Sequence, residues 1–177
     1  MAADLEAERG SDTALPLIEQ LRGYQPAEAD TVLATLRLRQ SRLDEAVSAL
    51  ESAFVRYRVD PWARLRFNQN ALTLVDALAA RDPKHARRLF DVLRQPFAVR
   101  TLEDMRLLTM VDLARRFDFK GACREPIGAL EPHVPWSAIF LLTRRDCYQA
   151  NNDPRLAAAT RDLNDFFGHE PLPLVPR

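Results

Sequence analysis

The sequence predicts an all-α fold, an α-solenoid of about four antiparallel helix pairs behind a leading helix, and three observations predict it. In the stretch from Ala34 to Phe54 and just before it, the apolar residues Leu33, Leu36, Leu43, Val47, Leu50 and Phe54 fall three, four or seven apart around a polar break at Gln40-Ser41-Arg42. That spacing gives each of two segments one apolar stripe at the helical period. A turn-plus-alanine pattern then recurs: Asp44-Glu45-Ala46, Pro83-Lys84-His85-Ala86, Lys120-Gly121-Ala122 and Pro154-Arg155-Leu156-Ala157, with alanines 40, 36 and 35 residues apart. Periods of that size belong to two-helix repeats. Composition agrees, with aromatics at 8 %, only five glycines, and abundant Ala, Leu and Arg, a mixture that favours helix over strand.

Taken in order, residues 1–12 read as a flexible start, and 13–169 as a single helical-repeat domain. Thr13 to Leu21 places Leu15, Leu17, Ile18 and Leu21 on one side and resembles the second helix of an incomplete leading repeat. Four pairs follow at about 26–59, 61–95, 101–131 and 135–168. The small residues Ala34, Ala46 and Ala53 stand where two helix axes must approach closely. Pro61 before Trp62 and Pro135 before Trp136 are expected at helix starts, where a missing N–H is harmless. Pro126 should kink or shorten the second helix of the third pair, and Gly168 is expected to cap the last one. The tail 170–177 holds three prolines and cannot continue a helix. Its end, Leu174-Val175-Pro176-Arg177, resembles a thrombin recognition sequence left by cloning.

The pattern resembles the tetratricopeptide repeat family. The residues that carry the resemblance are Leu33, Ala34, Leu43, Ala46, Leu50 and Ala53 in the first copy, and Tyr148, Asn152, Pro154 and Ala157 in the last. The family's first-helix glycine is replaced by Ala34, Leu74, Met110 and Arg145 in the successive copies. The resemblance implies a right-handed superhelix whose first helices line a concave partner-binding groove. It does not extend to the family's carboxylate-gripping pattern, because Asp104 and Leu107 stand where basic residues are required.

Most catalytic classes find no support. Lys and Arg number 25 and Asp and Glu also 25, so the chain lacks the basic excess of a nucleic-acid binder. The longest apolar run, Ala138 to Leu142, is far short of the ~20 residues that span a bilayer, and the acidic amino terminus is no secretory signal. A cytoplasmic setting is therefore expected. Cys123 and Cys147 lie inside helical patterns and are expected to be reduced, buried thiols. His85, His133 and His169 have no metal-site spacing and read as surface or capping residues. The paired carboxylates Asp44-Glu45, Glu103-Asp104 and Asp162 with Asp165 fit helix starts or solvated faces. No glycine-rich phosphate loop or nucleophile elbow is present in the sequence. The expectation is a chain that is not an enzyme and has no metal or cofactor.

What remains is a non-catalytic scaffold binding a peptide or helix of a protein partner. The groove residues expected from the repeat register are Thr35, Arg39, Asn68, Asn70, Val75, Leu107, Val111, Arg115, Asp146 and Gln149. Arg64 and Arg66, downstream of Trp62, and Arg144 and Arg145, downstream of Trp136, are expected to form a basic rim suited to an acidic partner. Trp62 with Phe67, and Trp136 with Phe140, are expected to pack between neighbouring pairs. The alternative is a regulatory or oligomerising appendage of a larger bacterial enzyme, since the texture is similar to repeat tails that follow spermidine-synthase-like domains. That reading requires an exposed apolar patch on Leu15 to Leu21, available for self-association.

Overall fold

The computed structural model describes residues 2–169, and every regular element among them is a helix. The tail 170–177 and its cloning-remnant reading lie outside the described residues. Where the sequence suggested one continuous domain, the chain divides into two compact units, the first ending at Asp118 and the second beginning at Phe119.

The first unit contains α1 (Ala2–Glu8), α2 (Ala14–Arg22), α3 (Pro26–Arg39), α4 (Leu43–Tyr57), α5 (Leu65–Ala79), α6 (Pro83–Leu93) and α7 (Glu103–Phe117), the last entered through a 3-10 turn at Arg100–Leu102. The closest pairing is α3 with α4. First helices also stack in a row, α1 on α3, α3 on α5 and α5 on α7, while α4 packs on α6. Ala34, Ala46, Ala53 and Ala86 are fully buried at these crossings, as their small size predicts. Leu36, Leu50, Phe54, Tyr57, Leu72, Leu78, Leu89 and Leu93 are buried with them, and Phe97 is stacked on Phe54 at 5.7 Å between ring centroids.

The expected flexible start is replaced over residues 2–8 by α1. Its Ala3 and Ala7, four apart and so on one face, are buried in a cluster with Ala14, Ile18, Leu36 and Phe67. Arg39 Nε donates to Glu8 at 2.9 Å and ties α1 to the end of α3. Gly10 then takes φ of 71°, and the Ser11 N–H reaches back to the Glu6 carbonyl at 3.1 Å. The same left-handed cap ends α3, where Ser41 has φ of 60° and the Arg42 N–H bonds to the Arg37 carbonyl at 2.8 Å. Such caps satisfy carbonyls that a helix end would leave unpaired. Pro61 does not begin a helix; it lies in the connector before Leu65.

The second unit contains α8 (Phe119–Ala122), α9 (Arg124–Leu130), a 3-10 turn at Glu131–His133, α10 (Ala138–Ala150) and α11 (Leu156–His169). Pro126 shortens the third pair's second helix as expected: its absent N–H cannot bond to Ala122, and the helix breaks into α8 and α9 just there. Pro135 again lies in a connector, and Ser137 caps α10 by accepting from the Phe140 N–H at 3.4 Å. Asn152, with φ of 50°, repeats the left-handed turn, and the Asp153 N–H bonds to the Tyr148 carbonyl at 2.9 Å. The repeat register fails after it, because residues 153–155 remain in the turn. Ala157 is exposed and Ala159 takes the buried place. Gly168 lies inside α11 rather than capping it.

Cys123 and Cys147 are not free thiols. They form a disulfide with a Cα–Cα separation of 6.1 Å, inside the range a bridge requires. The helix break at Cys123 turns that residue toward α10, and a separation of 24 in sequence carries no sign of it.

Candidate functional site

Five of the expected groove residues are buried in the first unit: Thr35, Asn68, Val75, Leu107 and Val111. The reason is the row of first helices, which spends this stripe on packing α3 against α5 and α5 against α7. Thr35 donates to the Thr31 carbonyl at 3.2 Å, and Asn68 Oδ1 is buried with no hydrogen-bond partner among the described residues. Arg39 is exposed but held by Glu8; Asn70 is half-buried and Arg115 exposed. The open positions lie one residue farther along, about 100° around each helix. Between α5 and α7 a cleft of about 70 Å³ has Leu72, Val75 and Leu113 as its apolar lining and Asp76, Thr109, Asp112 and Arg116 as its polar lining, with Arg116 ion-paired to Asp76.

A larger groove of about 410 Å³ runs between α3 and α4, bounded by Asp30, Leu33, Arg37 and Glu45 over a floor of Ser48, Ala49 and Ser52. It continues through Ser48 and Ser52 into a depression of about 550 Å³ beside Val55 and Arg56. The floor is small because each serine is folded onto its own helix, Ser52 Oγ donating to the Ser48 carbonyl at 3.1 Å. At its edge the buried Asp30 is clasped by Arg22 and by Arg56, the latter at 2.8 Å. His85, expected on the surface, is instead buried with Nε2 at 3.0 Å from Asp44 Oδ1.

The connector from α4 to α5 exposes large apolar side chains. Trp62, expected to pack between pairs, is 84 % exposed and Val59 80 %. The connector itself is well held. Trp62 N–H donates to Asp60 Oδ1 at 2.9 Å, and Arg64 N–H donates to Glu28 Oε1 at 3.1 Å. Glu28 is fully buried and burial pushes its carboxyl above the ordinary value, against the pull of the Arg64 N–H. Next to it burial likewise raises the Tyr57 hydroxyl, which lies 2.9 Å from Thr31 Oγ1. Arg64 and Arg66 remain on the surface as the sequence suggested, Arg66 reaching Asp4 at 2.8 Å.

In the second unit the basic rim does not form around Arg144. That side chain is buried, donates to Glu131 at 2.8 and 2.9 Å, and reaches Asp162 at 2.5 Å. It is an internal tie between the 3-10 turn, α10 and α11. Tyr148 also donates to Glu131, and Arg155 lies over the Tyr148 ring, 4.6 Å from its centroid. Burial works to raise the Glu131 carboxyl, but hydrogen bonds from Arg144 and Tyr148 win and hold it low. Asp153 is held well below the carboxylate range by hydrogen bonds from the Arg155 side chain and backbone. Arg145 is paired to Asp146 at 2.5 Å, and Gln149 is exposed. Trp136 has Phe166 as its ring partner, at 6.2 Å, rather than Phe140.

Neither the α3–α4 groove nor the exposure of Trp62 was expected from the repeat pattern. A signal for the latter was present in Arg56-Tyr57-Arg58-Val59-Asp60-Pro61-Trp62-Ala63-Arg64-Leu65-Arg66, where arginines and apolar residues alternate too densely for a buried turn. Among the described residues no group of His, Cys, Asp or Glu has the geometry to hold a metal, and no helix is long and apolar enough to cross a membrane. No family model, curated protein or solved structure matches the chain.

Proposed function

We propose that the chain is a non-catalytic protein-interaction module whose first unit is a short array of tetratricopeptide-like helix pairs in a right-handed solenoid. The observation that carries this reading is the stacking of first helices α1, α3, α5 and α7 in one row with α4 on α6 beside it. Such an array has a rigid, extended surface and no enclosed centre for chemistry. The largest shifts belong to groups held in internal hydrogen bonds, Tyr57 in the first unit and Arg144, Tyr148 and Asp153 in the second, and none of these lines a groove described above. Of the groove carboxylates, burial raises Asp112 and the hydrogen bond from His85 lowers Asp44.

The appendage reading is less well supported, because the apolar side of α2 is covered. Ile18 and Leu21 are buried, and Leu15 and Leu17 pack against the same cluster. The test is affinity capture from a cell lysate with the full chain as bait, followed by cross-linking and mass spectrometry. A specific protein retained and cross-linked to the first unit is the expected result. Retention of no protein above a scrambled-surface control overturns the reading.

A further inference from the structure

We infer that the α4–α5 connector is a docking surface for an acidic peptide segment that contains an apolar anchor residue; this rests on the interaction-module reading above. Four large apolar side chains occur within eleven residues on this edge: Val55 at 49 % exposure, Val59 at 80 %, Trp62 at 84 % and Leu65 at 41 %. Single exposed apolar residues are ordinary, but a concentration that includes a tryptophan in water is what interfaces show before they are covered.

The charge around these residues is layered by depth. The side chains of Arg56, Arg64 and Arg66 are 46 %, 59 % and 68 % exposed, whereas the carboxylates nearest them, Asp30, Glu28 and Asp4, are 5 %, 0 % and 15 % exposed. These three acids lie underneath and their guanidinium partners face outward, while Asp60, in the connector itself, is half-buried and accepts from the Trp62 N–H. A partner therefore meets a cationic rim around an apolar centre, although the local charges nearly balance. Carboxylates on a peptide fit that rim by bidentate pairing with guanidinium groups, and an apolar residue between them covers Trp62 and Val59.

Charge also decides between an acidic peptide and a polyanion. Nucleic acid and anionic lipid both draw affinity from many uncompensated cations. Here each outward arginine has a carboxylate beneath it, and the whole chain has 25 basic against 25 acidic residues. Short-range pairing to a few partner carboxylates survives that compensation better than long-range attraction does.

The two tryptophans are divided between the units, Trp62 in the first and Trp136 in the second. In a Trp136→Phe background, Trp62 fluorescence reports the connector alone. The full chain is titrated with a 15-residue peptide of Glu, Asp and Leu, its Lys-for-acid counterpart, a single-stranded oligonucleotide, and phosphatidylserine vesicles. Expected is a saturable blue shift with the acidic peptide only. Measured by anisotropy of the labelled peptide, Trp62→Ala should weaken binding about 30-fold, and Arg64→Ala with Arg66→Ala about tenfold. Equal binding by these variants, with helicity unchanged by circular dichroism, overturns the proposal, as does stronger binding of the oligonucleotide, the vesicles or the Lys peptide. In the lysate capture, a partner held undiminished by the Trp62, Arg64 and Arg66 triple variant sinks this surface and leaves the module reading standing. A wild-type bait that captures nothing sinks the module reading itself.

Discussion

The two units show two ways of holding short helices together. The first packs seven helices of mostly three to four turns and buries many large apolar side chains, Leu50, Phe54, Tyr57 and Leu89 among them. The second has two adequate helices, α10 and α11, and two fragments, α8 and α9, with few large buried residues: Ile127, Leu130, Phe140, Leu141, Tyr148 and Leu163. It compensates with a covalent bond and with buried charge, Cys123–Cys147 on one side and Arg144 between Glu131 and Asp162 on the other. Buried charge serves both units, Glu28 and Asp30 in the first and Arg144 and Asp153 in the second; among the described residues the covalent bond belongs to the second alone.

That contrast can be broken most forcefully in the first unit. Phe54→Ala should cost about 4 kcal/mol by leaving a cavity among Phe97, Tyr57 and the α6 residues, seen as faster hydrogen exchange in α4 and α6. Equal acceleration in α10 and α11 would show the two units to be one cooperative body. In the second unit, Cys123→Ser with Cys147→Ser should cost about 3 kcal/mol, the loop-closure value for a bridge of this span. It should appear in α10 and α11 while α3 to α6 stay protected. Arg144→Ala should cost about 2 kcal/mol, since it strands two partly covered carboxylates; Arg145→Ala, removing only an exposed pair, should change stability by less than about 0.5 kcal/mol.

Acid sharpens the same comparison. Glu131 and Asp153 have carboxyls held low in the folded state, so their stabilisation is present above the ordinary carboxylate pKa of about 4 and is lost as pH falls through their folded values. Glu28 is raised, so its contribution has the opposite sign, fully present below the ordinary value and lost as pH rises through its folded one. On acidification Trp136 fluorescence, read in a Trp62→Phe variant, should report unfolding before the first unit's helical signal falls. The smallest change is a gain. Ser41→Gly should stabilise the first unit by about 0.5 to 1 kcal/mol, because Ser41 stands at φ of 60° where a side chain is strained.

Much of the first unit was legible because its alanines do one job. Ala46, Ala53 and Ala86 recur at helix crossings, where any larger side chain would push axes apart. The groove was not legible, because periodicity identifies a stripe without saying whether a ligand or the next helix covers it. Val75 and Val111 therefore went to packing, while Asp76 and Asp112, one step around, stayed open. In the second unit the alanine register misled, since the turn at residues 153–155 moved burial from Ala157 to Ala159. Arg144 looked like a surface cation because its partners Glu131 and Asp162 stand 13 and 18 residues away, farther than any local pattern reaches.

The bridge between Cys123 and Cys147 also ties the molecule's stability to the redox state of its surroundings. Glutathione and thioredoxin keep thiols reduced in a bacterial or eukaryotic cytosol, whereas exported chains keep such bonds. The cytoplasmic setting expected from the sequence and a permanently oxidised second unit exclude one another in an ordinary mesophile, and trapping the thiols with an alkylating reagent in living cells distinguishes them. A chain kept among reductants would retain a firm first unit beside a second unit weaker by about 3 kcal/mol. The same chain in an oxidising compartment would be firm at both ends, so one sequence yields two mechanically different proteins according to where it is delivered.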